Sequence, residues 1–155
     1  GQAIAPWNAK LTSSKDGGNE EENAFLNNVT IGSLTDMISE GPLDFQPGSR
    51  FSYSGFMGLD VVAHIIEITS GQPFNEFVQT NIFDPLYMQD TYWNVPSEKV
   101  NRIVSISGGG KDGSKPAGET KFFSGSVGLI STAKDYLHFE NMLLNQGEFL
   151  GKRIL

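Results

Sequence analysis

The stretch PGSRFSYSGFMGLDVVAHIIEITSGQPFNEFVQTNIFDPLYMQDTYW, residues 47–93, decides how the chain folds. Pro47-Gly48 marks a tight turn, because Pro presets its own φ and Gly tolerates a positive one. The short segment Arg50-Phe51-Ser52-Tyr53 follows it. From Phe56 to Ser70 the residues are apolar almost all round, with Phe56, Met57, Leu59, Val61, Val62, Ala63, Ile65, Ile66 and Ile68. Only Asp60, His64 and Glu67 interrupt, and their helical spacing forms one narrow polar stripe. This pattern predicts a central helix buried on most sides, its stripe facing solvent. Gly71 stops it. Pro73 opens a next helix whose Phe74, Phe77, Val78 and Ile82 face the core, and Asp84-Pro85 closes that element.

Upstream, IGSLTDMISEG (residues 31–41) predicts a short helix capped by Ser33 with Asp36 three residues on. Ile31, Leu34, Met37 and Ile38 supply its apolar face, and Gly41-Pro42 ends it. Residues 12–24, TSSKDGGNEEENA, form a solvated loop. Downstream, VNRIVSIS (100–107) predicts a strand, and GGGKDGSKPAGE (108–119) a turn or long hairpin loop. The segment Ser124 to Gly128 leads to Thr132, which caps a last helix with Asp135 as its partner. That helix directs Tyr136, Phe139, Met142 and Leu143 inward and stops at Gly147. No repeat or linker divides the chain. The expectation is a single domain over residues 1–155, mainly α with minor β (α+β).

Composition sets outer bounds on function. With 155 residues and 38% hydrophobic content, the chain has enough apolar mass for a real core. Eleven Lys and Arg face 18 Asp and Glu, a net charge of −7 with no basic cluster. Such a balance repels nucleic acid and anionic membranes at long range, so neither is an expected partner. Cysteine is absent, which excludes disulfides, thiolate zinc sites and a Cys nucleophile while indicating no compartment. No apolar run approaches the roughly 18 residues of a membrane span. The start GQAIAPWNAK is no signal peptide, and the expectation is that something upstream has been removed.

Tyr53 is the residue whose surroundings suggest chemistry. It stands after the Pro-Gly turn and just before the apolar helix. A phenol becomes a base only where cations and donors favour its phenolate. A helix N-terminus acts in that direction, and a Lys ammonium must supply the rest. On these grounds alone Tyr53 reads rather as a ring packed under the helix start. Asp60, His64 and Glu67 share a face and are weighed as metal ligands, but a polar stripe is the expectation and no metal is assigned. His138 reads as a surface residue. The glycines at 108–110 lack the strand–loop–helix context of a phosphate loop.

The same 47–93 stretch resembles the middle of the serine β-lactamase-like hydrolases: class C β-lactamases, penicillin-binding peptidases and family VIII carboxylesterases. The likeness runs through a P-G-S/T-x-[FW]-x-Y-S opening, an apolar helix, S-G-Q-P-[FL], and I-F-x-P-L-x-M-x-D-T. A second stretch, SGSVGLISTAKDYLHFENMLLNQGEFLGKRIL, is similar to the family's S-G-G-G-G-L-x-S-T-A-x-D-Y segment and its G-x-x-L-x-G-x-R-I-L turn. The resemblance implies the helical region of a β-lactamase/transpeptidase-like fold, incomplete. It implies acyl-enzyme chemistry with no metal or organic cofactor, on a small-molecule ester or amide substrate. Tyr53 falls on the family's general-base tyrosine, while Ser126 and Val127 fall on the rim of the catalytic cleft. Two residues after the tyrosine, class C β-lactamases carry an Asn amide; here stands Gly55, which tilts the reading toward an esterase or peptidase relative.

The family also requires a Ser-x-x-Lys upstream of the tyrosine and a K-T-G or H-x-G strand near the C-terminal end. Ser131-Thr-Ala-Lys134 is a literal Ser-x-x-Lys, but it lies downstream at a helix start, where Ser131 and Thr132 read as capping residues. Thr12-Ser-Ser-Lys15 sits in a polar loop, and Lys15-Asp-Gly17 and Lys111-Asp-Gly113 in turns; all are coincidental. The expectation is an internal piece of the hydrolase, inactive alone and completed by other segments of its own chain. Two rivals stand beside it: a non-catalytic binding or structural module on the same scaffold, and a D-amino-acid peptidase or penicillin-binding relative.

Overall fold

Thr30 and Ser33 open the first helix of the structure, a computed structural model that describes residues 28–53, 57–104 and 119–155. The chain divides into two compact units, Gly1–Ile65 with Lys121–Ser126, and Ile66–Thr120 with Val127–Leu155. In the first unit, helix α1 spans Ile31–Ser39, and Thr30 rather than Ser33 is its N-cap. Thr30 Oγ1 accepts from the Ser33 N–H at 3.2 Å, and Ser33 Oγ accepts from the Thr30 N–H at 2.9 Å. Starting the helix at Ile31 buries Ile31 and Leu34 together at 2% exposure, which a start at Leu34 would not do. Met37, expected on the apolar face, is 39% exposed.

The predicted turn is present: the Ser49 N–H donates to Gln46 O at 3.0 Å, with Gly48 at φ +80°. Pro at the second position and a left-handed Gly at the third suit a type II turn. Helix α2 then runs Met57–Ser70, where burial inverts the expected pattern. Asp60 and Ala63 are its buried residues, whereas Leu59 is 58%, Ile65 52% and Ile68 69% exposed. Hydropathy reports residue type. It does not report which face finds donors and neighbours, and here the polar stripe found them.

Helix α2 continues from the first unit into the second at Ile66. Gly71 ends it at φ +69°, its N–H donating to Glu67 O at 2.9 Å. Helix α3 covers Phe74–Val78 and widens into a π-helical turn over Gln79–Phe83, which delivers Phe83 to the core at 4% exposure. Pro73 is the N-cap of α3 and has no side-chain donor or acceptor; Glu67 Oε1 instead accepts the Phe74 N–H at 2.9 Å. One stripe residue thus satisfies an orphan donor of the next helix.

Ser97–Arg102 forms a 3₁₀ turn where a strand was expected from residue 100, and residues 105–107 lie outside the described set. The three-residue repeat aligns Lys99 and Arg102, and both reach Asp90, at 2.8 and 2.9 Å. That ion pairing outweighs the β preference of Val100 and Ile103. The predicted loops at 12–24 and 108–118 also lie outside the described residues.

Helix α4 spans Ala133–Leu144, capped as expected by Thr132, whose Oγ1 accepts the Asp135 N–H at 3.2 Å. Met142 is fully buried and Phe139 packs at the core edge, but Tyr136 and Leu143 are 56% and 52% exposed. His138 takes the inward place instead. Its Nδ1–H donates to Leu86 O at 2.8 Å and its ring lies 5.2 Å from that of Phe149. It was expected at the surface, yet an imidazole on the inner side of α4 satisfies a carbonyl that no aliphatic side chain could. Strands β1 (Glu148–Phe149) and β2 (Lys152–Arg153) close an antiparallel hairpin through Leu150 and Gly151, both at positive φ.

The second unit's core is Phe83, Leu86, Met88, Met142 and Phe149, with Trp93 and Ile154 packed against it. Helices dominate the described residues, and β1–β2 is their single paired sheet. Among them no helix is long and apolar enough to cross a membrane. Leu86 is fully buried, so Leu86→Ala is expected to lower stability by about 2–5 kcal/mol in urea unfolding. Leu43→Ala, at a position 74% exposed, should stay within about 0.5 kcal/mol.

Candidate active site

Tyr53 is 81% exposed and lies four residues before α2 begins at Met57. Gly55, read above as the departure from the class C pattern, lies outside the described residues.

Among the described residues of the first unit, a polar cluster centres on Asp60, a carboxylate only 3% exposed on α2. Its Oδ1 accepts from Ser124 Oγ–H at 2.6 Å and from the Gly125 N–H at 2.9 Å, with Ser126 Oγ at 3.5 Å. Ser126 is half-buried, and its own N–H donates to Ser124 Oγ at 3.1 Å. Charge-assisted bonds of this kind offset the cost of withdrawing a carboxylate from water. Gly125 is required by contact: a Cβ there would stand 2.6 Å from Leu59 O and 2.9 Å from the Ala63 Cβ. The loop therefore lies directly on the α2 backbone. Val127 follows Ser126 as the first residue of a second-unit stretch and is 49% exposed. Among the described residues no hydrogen bond links Tyr53 to Ser126.

The remaining stripe residues go to other partners. His64 Nδ1 pairs with Thr35 Oγ1 on α1, and Glu67 binds the start of α3. The three were expected to face solvent; instead each tethers a different segment. Among the described residues, no group of three His, Asp or Glu is arranged to hold a metal ion.

A second cluster brings together Tyr92, Lys99 and Ser131, which line a small cavity of about 70 Å³ in the second unit. Serine, lysine and tyrosine are the right residue types for acylation, but their protons are already committed. Lys99 donates to Asp90 and to Tyr92 Oη, and these partners raise its pKa above the usual lysine value, so it has no lone pair to act as base. Thr91 Oγ1 donates to Asp135 Oδ2 at 3.0 Å, so in the 2.7 Å contact between Ser131 Oγ and Thr91 Oγ1 the serine is the donor. Thr132 alone caps α4; Ser131 is pinned sideways. Lys134 is exposed. The literal Ser-x-x-Lys is thus a structural element.

Asp60 with Ser124, and Asp90 with its two cations, were not singled out from the sequence. A signal for the first was present: an Asp amid Leu59, Val61, Val62 and Ala63 must find donors, and the Ser-Gly-Ser segment offers several.

Both geometry and sequence place the chain in a class, the serine β-lactamase-like fold. The solved D-amino acid amidase of Ochrobactrum anthropi overlays 82% of this chain at a TM-score of 0.54 and 23% identity, covering 39% of its own chain. The Beta-lactamase family matches residues 6–155, so the chain belongs to the β-lactamase family. Protein Rv1367c of Mycobacterium tuberculosis is 30% identical over 122 residues, 74% of this chain and 30% of the relative. The D-alanyl-D-alanine-carboxypeptidase/endopeptidase AmpH of Escherichia coli is 27% identical over 108 residues, 70% of this chain and 27% of the relative. The chain therefore spans about a third of the length of the proteins it matches.

Two outcomes follow from these geometries. Gly125→Ala should force the loop off α2 and lower stability by about 1–3 kcal/mol, measured by thermal unfolding. Arg102 and Lys99 hold the Asp90 carboxyl well below its ordinary range. Their clamp is complete above the unfolded carboxylate pKa and is lost as pH falls through the lower, folded one. Asp90→Asn is therefore expected to destabilise at neutral pH, and the gap to wild type should shrink as pH falls below about 4 in acid unfolding.

Proposed function

We propose that the chain carries part of the active site of a serine hydrolase that forms an acyl-enzyme on ester or amide, β-lactam-like, substrates. The observation that carries this reading is an exposed Tyr53, directly behind the Pro47-Gly48 turn, in a chain of the β-lactamase family. In this reading the phenolic oxygen of Tyr53 serves as the general base that takes the hydroxyl proton of the attacking serine. The serine oxygen bonds to the substrate carbonyl carbon, and the same proton returns to the leaving group as its bond breaks. Ser126 and Val127 border the bound substrate.

No Ser-x-x-Lys precedes Tyr53 in these residues, so the nucleophile belongs to polypeptide outside them and the chain alone is inactive. Gly55 in place of the Asn amide favours esters. A second reading, that of a D-amino-acid peptidase or penicillin-binding relative, is favoured by the likeness to AmpH.

Tyr53→Phe in the protein that carries this chain is expected to slow hydrolysis of a short p-nitrophenyl ester by about 10²- to 10⁴-fold while leaving the fold intact. Wild-type turnover by a folded variant sinks the role of Tyr53. A fluorophosphonate probe separates hydrolase from non-catalytic module: covalent labelling is expected in the parent protein, and none in the isolated 155-residue chain. Labelling of the isolated chain at Ser131 would contradict the structural reading of that residue.

A further inference from the structure

The proton inventory of the Asp60 cluster has a direction. Ser124 has one hydroxyl proton, and it is spent on Asp60 Oδ1 at 2.6 Å. In the 2.9 Å contact between Ser124 Oγ and Ser126 Oγ, the donor is therefore Ser126, whose alternative acceptor is Asp60 itself at 3.5 Å. The Gly125 and Ser126 N–H groups also point into the cluster. Two donors of this loop thus reach the buried carboxylate directly, and both donors of Ser126 are taken up by Ser124 Oγ. What the half-buried Ser126 hydroxyl can offer outward is its oxygen lone pairs, backed by the negative charge of Asp60.

We infer that Ser126 Oγ is a fixed hydrogen-bond acceptor, set by Asp60 as a positioning residue, and that it selects substrates bearing an ammonium or amide N–H beside the reacting carbonyl. The inference rests on the reading that Ser126 borders bound substrate. A free serine hydroxyl would rotate to accept or donate and would not discriminate. One whose proton is held from behind accepts only. A substrate with a carboxylate or carbonyl oxygen at that place would meet lone pairs and a buried anion.

The test uses the full protein that carries this chain and two p-nitrophenyl esters, of alanine and of propionic acid, which differ only in the α-ammonium. The wild type is expected to prefer the alanine ester in kcat/KM. Ser126→Ala is expected to lower the alanine-to-propionate ratio about tenfold or more, mainly through KM, as loss of a hydrogen bond to a charged group implies. Ser126→Thr, which keeps the hydroxyl, should hold the ratio. Asp60→Asn should lower it, because an amide at that place can face Ser124 with its N–H₂ and release the serine protons. An unchanged ratio in Ser126→Ala overturns the inference whether or not Asp60→Asn folds. If the wild type hydrolyses neither ester, the hydrolase reading falls separately. Calorimetric titration with alaninamide and propionamide then decides the acceptor role. A preference for alaninamide that Ser126→Ala removes supports it, and equal affinities in the wild type overturn it.

Discussion

A carboxylate placed where water cannot reach it must be surrounded by donors, and Asp60 imposes that condition on the first unit. Its position on α2, between Leu59 and Val61, leaves the neighbouring chain to supply them. The segment 124–126 does so with the Ser124 hydroxyl and the Gly125 N–H, while Ser126 donates to Ser124 Oγ behind them, and it comes close enough only because residue 125 has no side chain. Removing either the carboxylate or the space at Gly125 leaves the other feature without a purpose. Burial of the ion, glycine at the contact and serine on either side are one constraint expressed at four positions.

The second unit repeats the device with different residues. Asp135, also 3% exposed, accepts from the Asp90 N–H at 2.7 Å and from Thr91 Oγ1, which in turn holds Ser131. Each cluster is a buried carboxylate, an intermediate hydroxyl and an outer serine. In each, the outer serine's proton is drawn inward. Ser131 is thereby removed from nucleophilic chemistry, whereas Ser126, on the loop that follows Gly125, keeps its lone pairs for use. The same physics disposes of the Tyr92–Lys99 pair, because Asp90 keeps the ammonium protonated.

Local signals were legible in the sequence where backbone chemistry decides the outcome. The Pro47-Gly48 turn, the stop at Gly71 and the Thr132 cap follow from φ restrictions and unpaired N–H groups, which depend on nearest neighbours alone. The helix at 31–39 was legible too, though its cap lay three residues earlier, since burying Ile31 decided the start. Facing was not legible. The pattern over residues 56–70 sets nine apolar residues against a stripe of three polar ones, and only the partners of Asp60, His64 and Glu67 reveal which side is enclosed. The 3₁₀ turn at 97–102 was hidden for a related reason: its cause, Asp90, lies outside the window that propensity reads. Of the candidate site, Tyr53, Ser126 and Val127 were proposed from the likeness of its motifs, while the proton direction at Ser126 required the distances.

Asp60 and Ser124 are 64 residues apart along the chain. During synthesis the helix bearing Asp60 leaves the ribosome before the loop that donates to it exists, and at usual elongation rates the interval lasts several seconds. Through that interval the Asp60 carboxylate lacks the donors of residues 124 and 125 and is met by solvent. Enclosure of Asp60 is a late event set by translation, and a nascent chain arrested before residue 124 would present Asp60 to water.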